Sequence, residues 1–189
     1  DFDTTARGLV KNITNGGVIV WVVGDATIDG TETGTSFRQA LRFKELGLNL
    51  HDTMIYGKKG FASPSVGRYH QCFEYMFVLS SGKPKTFNPL IDRKNLNDRR
   101  GGFTRRQKDG SMKELKGGLF LDEWGMRYNV WIYEIGKFKV TNDEVAYEHP
   151  AIFSEELAAD HVLSWSNTDD ITLDPFLGSG TTMKISKKL

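Results

Sequence analysis

Cysteine is nearly absent from this chain of 189 residues, Cys72 being the single one. A disulfide framework and a cysteine-based zinc site within one chain are thereby excluded, and no metal site is read from the sequence. Proline is scarce: Pro64, Pro84, Pro89, Pro150 and Pro175, none adjacent to another. Long apolar runs are missing too. The longest, Val18 to Val23, falls far short of the roughly 20 residues a membrane span needs, so no membrane partner is expected. Asp1-Phe2-Asp3 is not a basic region leading into an apolar stretch, so no secretory signal is read there, and a reducing cytoplasm is the expected location. Charge of one sign is also lacking, with 25 Lys and Arg against 24 Asp and Glu. Bulk charge therefore announces no polyanionic partner. What remains, 39% hydrophobic and 26% charged residues, suits one soluble domain with a sizeable core, or one domain plus an insertion.

The distribution of charge is more informative than its sum. From Asp92 to Gly117 there are nine basic residues (Arg93, Lys94, Arg99, Arg100, Arg105, Arg106, Lys108, Lys113, Lys116) against four acids. Segregation of this kind marks either a solvated loop or a phosphate-facing surface. Phe103 lies within the cluster and could stack on bases.

Regular structure is legible on either side of that segment. Residues 4–13 carry a helical pattern (Ala6, Leu9, Val10, Ile13) that Asn15-Gly16-Gly17 ends. Val18 to Val23 is apolar throughout, as in a central strand covered on both faces. Thr35 or Ser36 is placed to cap a helix from Phe37 to Leu46. Leu50–Tyr56 and Cys72–Leu79 read as two strands joined without a helix, hence an antiparallel pair at a sheet edge, with Cys72 expected to be buried. Periodicity fails from Lys83 to about Tyr147, too long for an ordinary loop and best read as an insertion. Tyr128 to Ile135 alternates as one strand. Ser154 suits an N-cap, with Glu155 and Glu156 in the first turn and Leu157, Ala158, His161, Val162 and Trp165 on the apolar side.

The most specific string is Asp174-Pro175-Phe176-Leu177-Gly178-Ser179-Gly180-Thr181-Thr182, between apolar Ile171-Thr172-Leu173 and a helix-like tail. It reads as strand, glycine turn and helix start. Glycines let backbone approach a ligand, and a helix N-terminus offers free N–H groups. A phosphate-cradling loop is a poor match, because no lysine follows Gly180. A dinucleotide fingerprint is a poor match as well, since Met183 occupies the third glycine position. An ordinary strand-to-helix turn remains the alternative for a bare Gly-x-Gly.

The whole string resembles the S-adenosylmethionine loop, motif I, of amino-type DNA methyltransferases, which methylate N6 of adenine or N4 of cytosine. Upstream, His149-Pro150-Ala151-Ile152-Phe153-Ser154-Glu155-Glu156-Leu157 resembles motif X, the other wall of the cofactor pocket. Motif X before motif I is similar to the permuted β class. Gly24-Asp25-Ala26-Thr27 and Thr33 to Leu41 also look like modification enzymes of bacteria and phages, and Asn129-Val130-Trp131 resembles the family's Val-Trp lead-in, with a core aromatic as the alternative for Trp131.

The resemblance implies an α/β, Rossmann-like class I methyltransferase sheet with an inserted target recognition region. It divides the chain into part of the catalytic half (1–82), the insertion (83–147) and a cofactor half (148–189). It implies S-adenosylmethionine as cofactor, held by His149, Pro150, Ala151, Phe153, Asp174, Pro175, Phe176, Gly178, Ser179, Gly180, Thr181 and Thr182. It implies double-stranded DNA as partner, met by Arg93, Lys94, Arg99, Arg100, Arg105, Arg106 and Lys108. A homodimer and a cognate restriction nuclease are left open by it. The family's Asp/Ser-Pro-Pro-Tyr motif has no counterpart here, so no catalytic residue is assigned. The expectation is a chain that begins just after that motif, stops before the strands that follow motif I, and transfers no methyl by itself. A DNA-binding remnant without catalysis is the alternative, and an RNA methyltransferase a more distant one. Cys72 follows Gln71 rather than proline, which disfavours methylation at carbon 5 of cytosine.

Overall fold

Two amphipathic helices, a short hairpin and three longer strands build the first half of the chain. Helix α1 (Phe2–Asn12) is capped by Asp1, whose carboxylate accepts the Asp3 N–H at 3.1 Å. Gly16 turns the chain at φ +79, where a Cβ would lie 2.5 Å from the Lys85 side chain. Strand β1 (Val18–Val23) follows, then a hairpin of β2 (Thr27–Ile28) and β3 (Thr31–Glu32), helix α2 (Thr35–Glu45) and strands β4 (Asn49–Lys58) and β5 (Phe73–Ser80). The computed structural model describes residues 1–61, 64, 66–99, 101–118, 120–136, 139–149 and 152–189. These form two compact units, Asp1–Asn88 with Asn129–Leu189, and Pro89–Tyr128.

The first unit is a four-stranded sheet in the order β1-β5-β4-β10, where β10 (Val130–Tyr133) runs parallel to β4 and the other pairs are antiparallel. Side chains alternate across β5. Phe77 and Leu79 face α1 and α2, closing a core with Ala6, Ala40, Phe43 and Leu48. Met76 points to the opposite face, where α3 (Glu155–Trp165) lies with His161 against it. Helix α4 (Thr181–Lys188) joins α3 through Lys184 and Glu155, 2.8 Å apart.

Several elements differ from expectation. The β4–β5 pair sits inside the sheet, flanked by β1 and β10, because β10 returns to β4 across a long sequence separation. Among the described strands β1 is an edge, half-buried along its whole length rather than covered on both faces. Ile171-Thr172-Leu173 forms no strand. None of the four strands runs beside it, and Ile171 is 97% exposed. A strand exists only by its ladder. Cys72 is exposed: its carbonyl accepts the Lys58 N–H at 2.8 Å, but it precedes the first register pair of β5 at the sheet's rim. Helix α2 begins after Gly34 in place of a Thr35 or Ser36 cap.

The second unit is built of hairpin pieces: β6 (Arg93–Lys94) pairs with β9 (Trp124–Gly125), and β7 (Phe103–Arg106) with β8 (Met112–Leu115). Asp109 shapes the β7–β8 turn by accepting the Ser111 N–H and hydroxyl at 2.9 and 2.7 Å. This unit is narrower than 83–147. Lys85 and Asn88 hydrogen-bond Gly16 and Ser164 in the first unit, and β10 belongs to the first unit's sheet.

Candidate cofactor and nucleic-acid sites

The strand directions collect the first unit's candidate residues at one edge of its sheet. β1, β4 and β10 run the same way and end at Val23, Lys58 and Tyr133, where β5 begins. Helix α3 starts at that edge, with the Glu155 N–H donating to the Val140 carbonyl at 3.0 Å. It ends at Trp165, whose ring meets His51 near the start of β4. The N-termini of α3 and α4 are held together by Lys184, which lies 2.8 Å from Glu155 and 3.5 Å from Asp143. The carboxyl ends of parallel strands are where open α/β sheets bind ligands.

At this edge the two cofactor segments meet. Gly178 has φ +54, and a Cβ there would lie 3.4 Å from the His149 imidazole. Gly180, at φ +81, is the residue before α4. Asp174 does not extend from a strand end. Its Oδ1 accepts the Phe176 N–H at 2.9 Å and so folds the turn. Ser179 and Thr181 hydroxyls stand 3.2 Å apart, Thr181 is buried and Thr182 half-buried. Phe176 meets the ring of Trp21 edge-on at 5.6 Å, which fixes the turn to the α1–α2 face of β1. Pro175 is exposed. Phe153 is half-buried just before Ser154, whose hydroxyl accepts the Leu157 N–H at 3.4 Å. Pro150 and Ala151 lie outside the described residues. A glycine turn before a helix N-terminus, with an imidazole beside it, lets backbone approach a small ligand closely.

Other residues at this edge were given no cofactor or DNA role from the sequence. Asp25 accepts the Ser36 N–H at 3.1 Å and hydrogen bonds from the Ser36 and Thr33 hydroxyls. Burial opposes its ionisation, yet these donors and the Thr35 N–H hold its carboxyl below the usual range. It caps α2 from a distance, which no local pattern signals. Lys58 and Glu74 pair across β4 and β5. Burial, then the Glu74 charge, pushes the Tyr56 phenol up. On the far face, His161 is 8% exposed, stacked on Trp131 at 4.6 Å with Nε2 3.2 Å from the Met76 sulfur. Burial pushes its pKa down to about 3.

In the second unit the basic residues divide. The Arg93 Nε donates to the Met126 carbonyl at 3.0 Å, and its guanidinium lies 4.7 Å from the Tyr128 ring centroid. Arg99 lies over Phe120 at 4.5 Å, and Lys94 is 3.8 Å from Glu123. Arg105, Arg106 and Lys108 are exposed on and after β7, as is Phe103. Arg100 lies outside the described residues.

Comparison with known proteins places this geometry in a family. A family model described as DNA methylase, of the N6/N4 methyltransferases, matches residues 4–189. The orphan methyltransferase M.BamHII of Bacillus amyloliquefaciens is 53% identical over 190 residues, covering 98% of this chain and 71% of that protein. The type II methyltransferase M.BglII of Bacillus subtilis is 34% identical over 77 residues, 40% of this chain and 21% of that protein. Among solved structures, the M1.HpyAVI–SAM complex aligns with a TM-score of 0.61 at 18% identity, over 98% of this chain and 70% of that one. A PvuII DNA methyltransferase described as cytosine-N4-specific aligns at 0.69 and 16% identity, over 99% of this chain and 61% of that one. These two likenesses show the fold, a class I methyltransferase sheet. The chain belongs to the amino-type DNA methyltransferases, enzymes that move a methyl group from S-adenosylmethionine to an exocyclic nitrogen of a DNA base.

Proposed function

We propose that the Asp174–Thr182 turn and the His149–Phe153 segment are the two walls of the S-adenosylmethionine site, in β-class order. The carrying observation is Gly178, in the left-handed region and beside the His149 ring. Backbone can approach a ligand closely there, and the first N–H groups of a helix have no partner within it and can serve a ligand's carboxylate or hydroxyls. The bound cofactor supplies an electrophilic methyl on a sulfonium. The chain's own residues then orient and shelter it. Asp174 closes the turn, Phe176 braces it on Trp21, and His149 and Phe153 wall the opposite side.

The acceptor in this reading is N6 of adenine or N4 of cytosine in double-stranded DNA. Such a nitrogen is a weak nucleophile inside a base stack, so the base must leave the duplex to align with the methyl. The second unit serves as the target recognition element, and Arg105, Arg106 and Lys108 meet phosphates. Among the described residues no helix is long and apolar enough to cross a membrane, and a cytoplasmic enzyme acting on resident DNA fits this reading.

The test is Gly178→Val. A β-branched residue cannot hold positive φ without strain, and it fills the space beside His149. Calorimetry should show S-adenosylmethionine binding lost while far-ultraviolet circular dichroism is unchanged. Unchanged affinity would remove the turn from the site.

A further inference from the structure

A loop that the cofactor and phosphate readings leave unused stands on the same sheet edge. It leaves β4 at Lys59 and enters β5 at Phe73. Its base is tied on both sides. The Lys59 N–H donates to the Tyr133 carbonyl at 2.9 Å, and the Lys58 N–H to the Cys72 carbonyl at 2.8 Å. The Lys59 ammonium pairs with Glu134 at 2.8 Å, and the Phe61 and His70 rings stack at 4.1 Å. Arg68 then fastens the loop to the β2–β3 hairpin rising from the end of β1. Its guanidinium donates to the Thr27 hydroxyl at 3.1 Å and to the Gly30 carbonyl, and lies 3.5 Å from Glu32.

On either side of that anchor, Val66 is 98% exposed and Tyr69 is 99% exposed. The fastened stem lowers the entropy that ordering the loop on a partner would otherwise lose. The partner is DNA, because the family's reaction is carried out on DNA. Its chemistry also states what such a tip can do. A base rotated out of a duplex leaves a gap whose neighbours lose their stacking. An aromatic ring restores a stacking face, and apolar wedges beside it hold a step open.

We propose that Tyr69, flanked by Val66, enters the base stack of the substrate duplex at the position the target base leaves. The inference rests on the methyltransferase reading of this edge. It adds a DNA-contacting residue in the first unit, independent of the basic second unit.

The test compares binding of the protein to a fluorescently labelled mixed-sequence duplex and to the same duplex carrying one abasic position, at fixed salt. The wild type should prefer the abasic duplex by about tenfold, the order of one base–aromatic stack. Tyr69→Ala should lose that preference, and Tyr69→Phe should keep it. Both should bind S-adenosylmethionine as the wild type does. Equal affinity of the wild type for the two duplexes, or a preference undiminished in Tyr69→Ala, overturns the proposal. Its failure is separable from that of the cofactor assignment. The first appears in duplex affinity with cofactor binding intact, the second in the Gly178→Val calorimetry alone.

Discussion

Acid should destabilise this fold through His161 in particular. The imidazole is buried between Trp131 and Met76, and no described group hydrogen-bonds its Nδ1. In the folded state its pKa is pushed down to about 3 by burial, against an ordinary value near 6.5 once unfolded. Between those values the unfolded chain binds the proton and the folded one does not, so stability must fall as pH falls. The contribution is fully present above about pH 6.5. At about 1.4 kcal/mol per pH unit, roughly 2 kcal/mol is lost by pH 5, and the loss ends only near pH 3. The assay is urea unfolding of wild type and His161→Gln at about pH 7.5, 6 and 5. The variant should be less stable at pH 7.5, having lost the stack on Trp131, but its curve should be flatter. His51, His70 and His149 remain in both proteins, so the comparison isolates His161. Equal slopes would refute the reasoning, as would a His161 ring resonance titrating near pH 6.5 in the folded protein.

Asp25→Ala should lower stability by about 1–2 kcal/mol, the value of a lost helix cap, because it strips the acceptor from the Ser36 N–H at the start of α2. Thermal unfolding measures it, and an unchanged midpoint would show that Gly34 alone suffices to begin the helix. In the second unit, replacing Arg105 and Arg106 together by alanine should reduce the slope of log affinity against log salt by about 2, at roughly 0.9 per phosphate contact. An unchanged slope would make β7 a solvated hairpin. Arg93 and Arg99 are expected to contribute less, since both guanidinium groups already lie over aromatic rings of their own unit.

The sequence alone determined the chemistry. The Asp174–Thr182 and His149–Leu157 strings carry the family resemblance in residue type and spacing, because a glycine turn before a helix is a local construction. Helix α1 and strands β1, β4 and β5 were legible for the same reason: periodicity and glycine stops act within a few residues. The contrast between the basic segment 92–117 and the acidic remainder was likewise written in composition. Tertiary structure decided everything that depends on partners distant in the chain. It brought Gly178 against His149 and Phe176 against Trp21. It placed the β4–β5 pair inside the sheet by returning β10 to β4, and it left Ile171–Leu173 without a ladder despite its strand-like composition. It exposed Cys72 at the rim, buried His161 under Trp131, and carried Asp25 across a hairpin to cap α2. The physical reason is common to all of these. Side-chain type sets what a residue can do within its own turn, whereas burial, pairing and long-range capping are properties of the surface another segment brings to it.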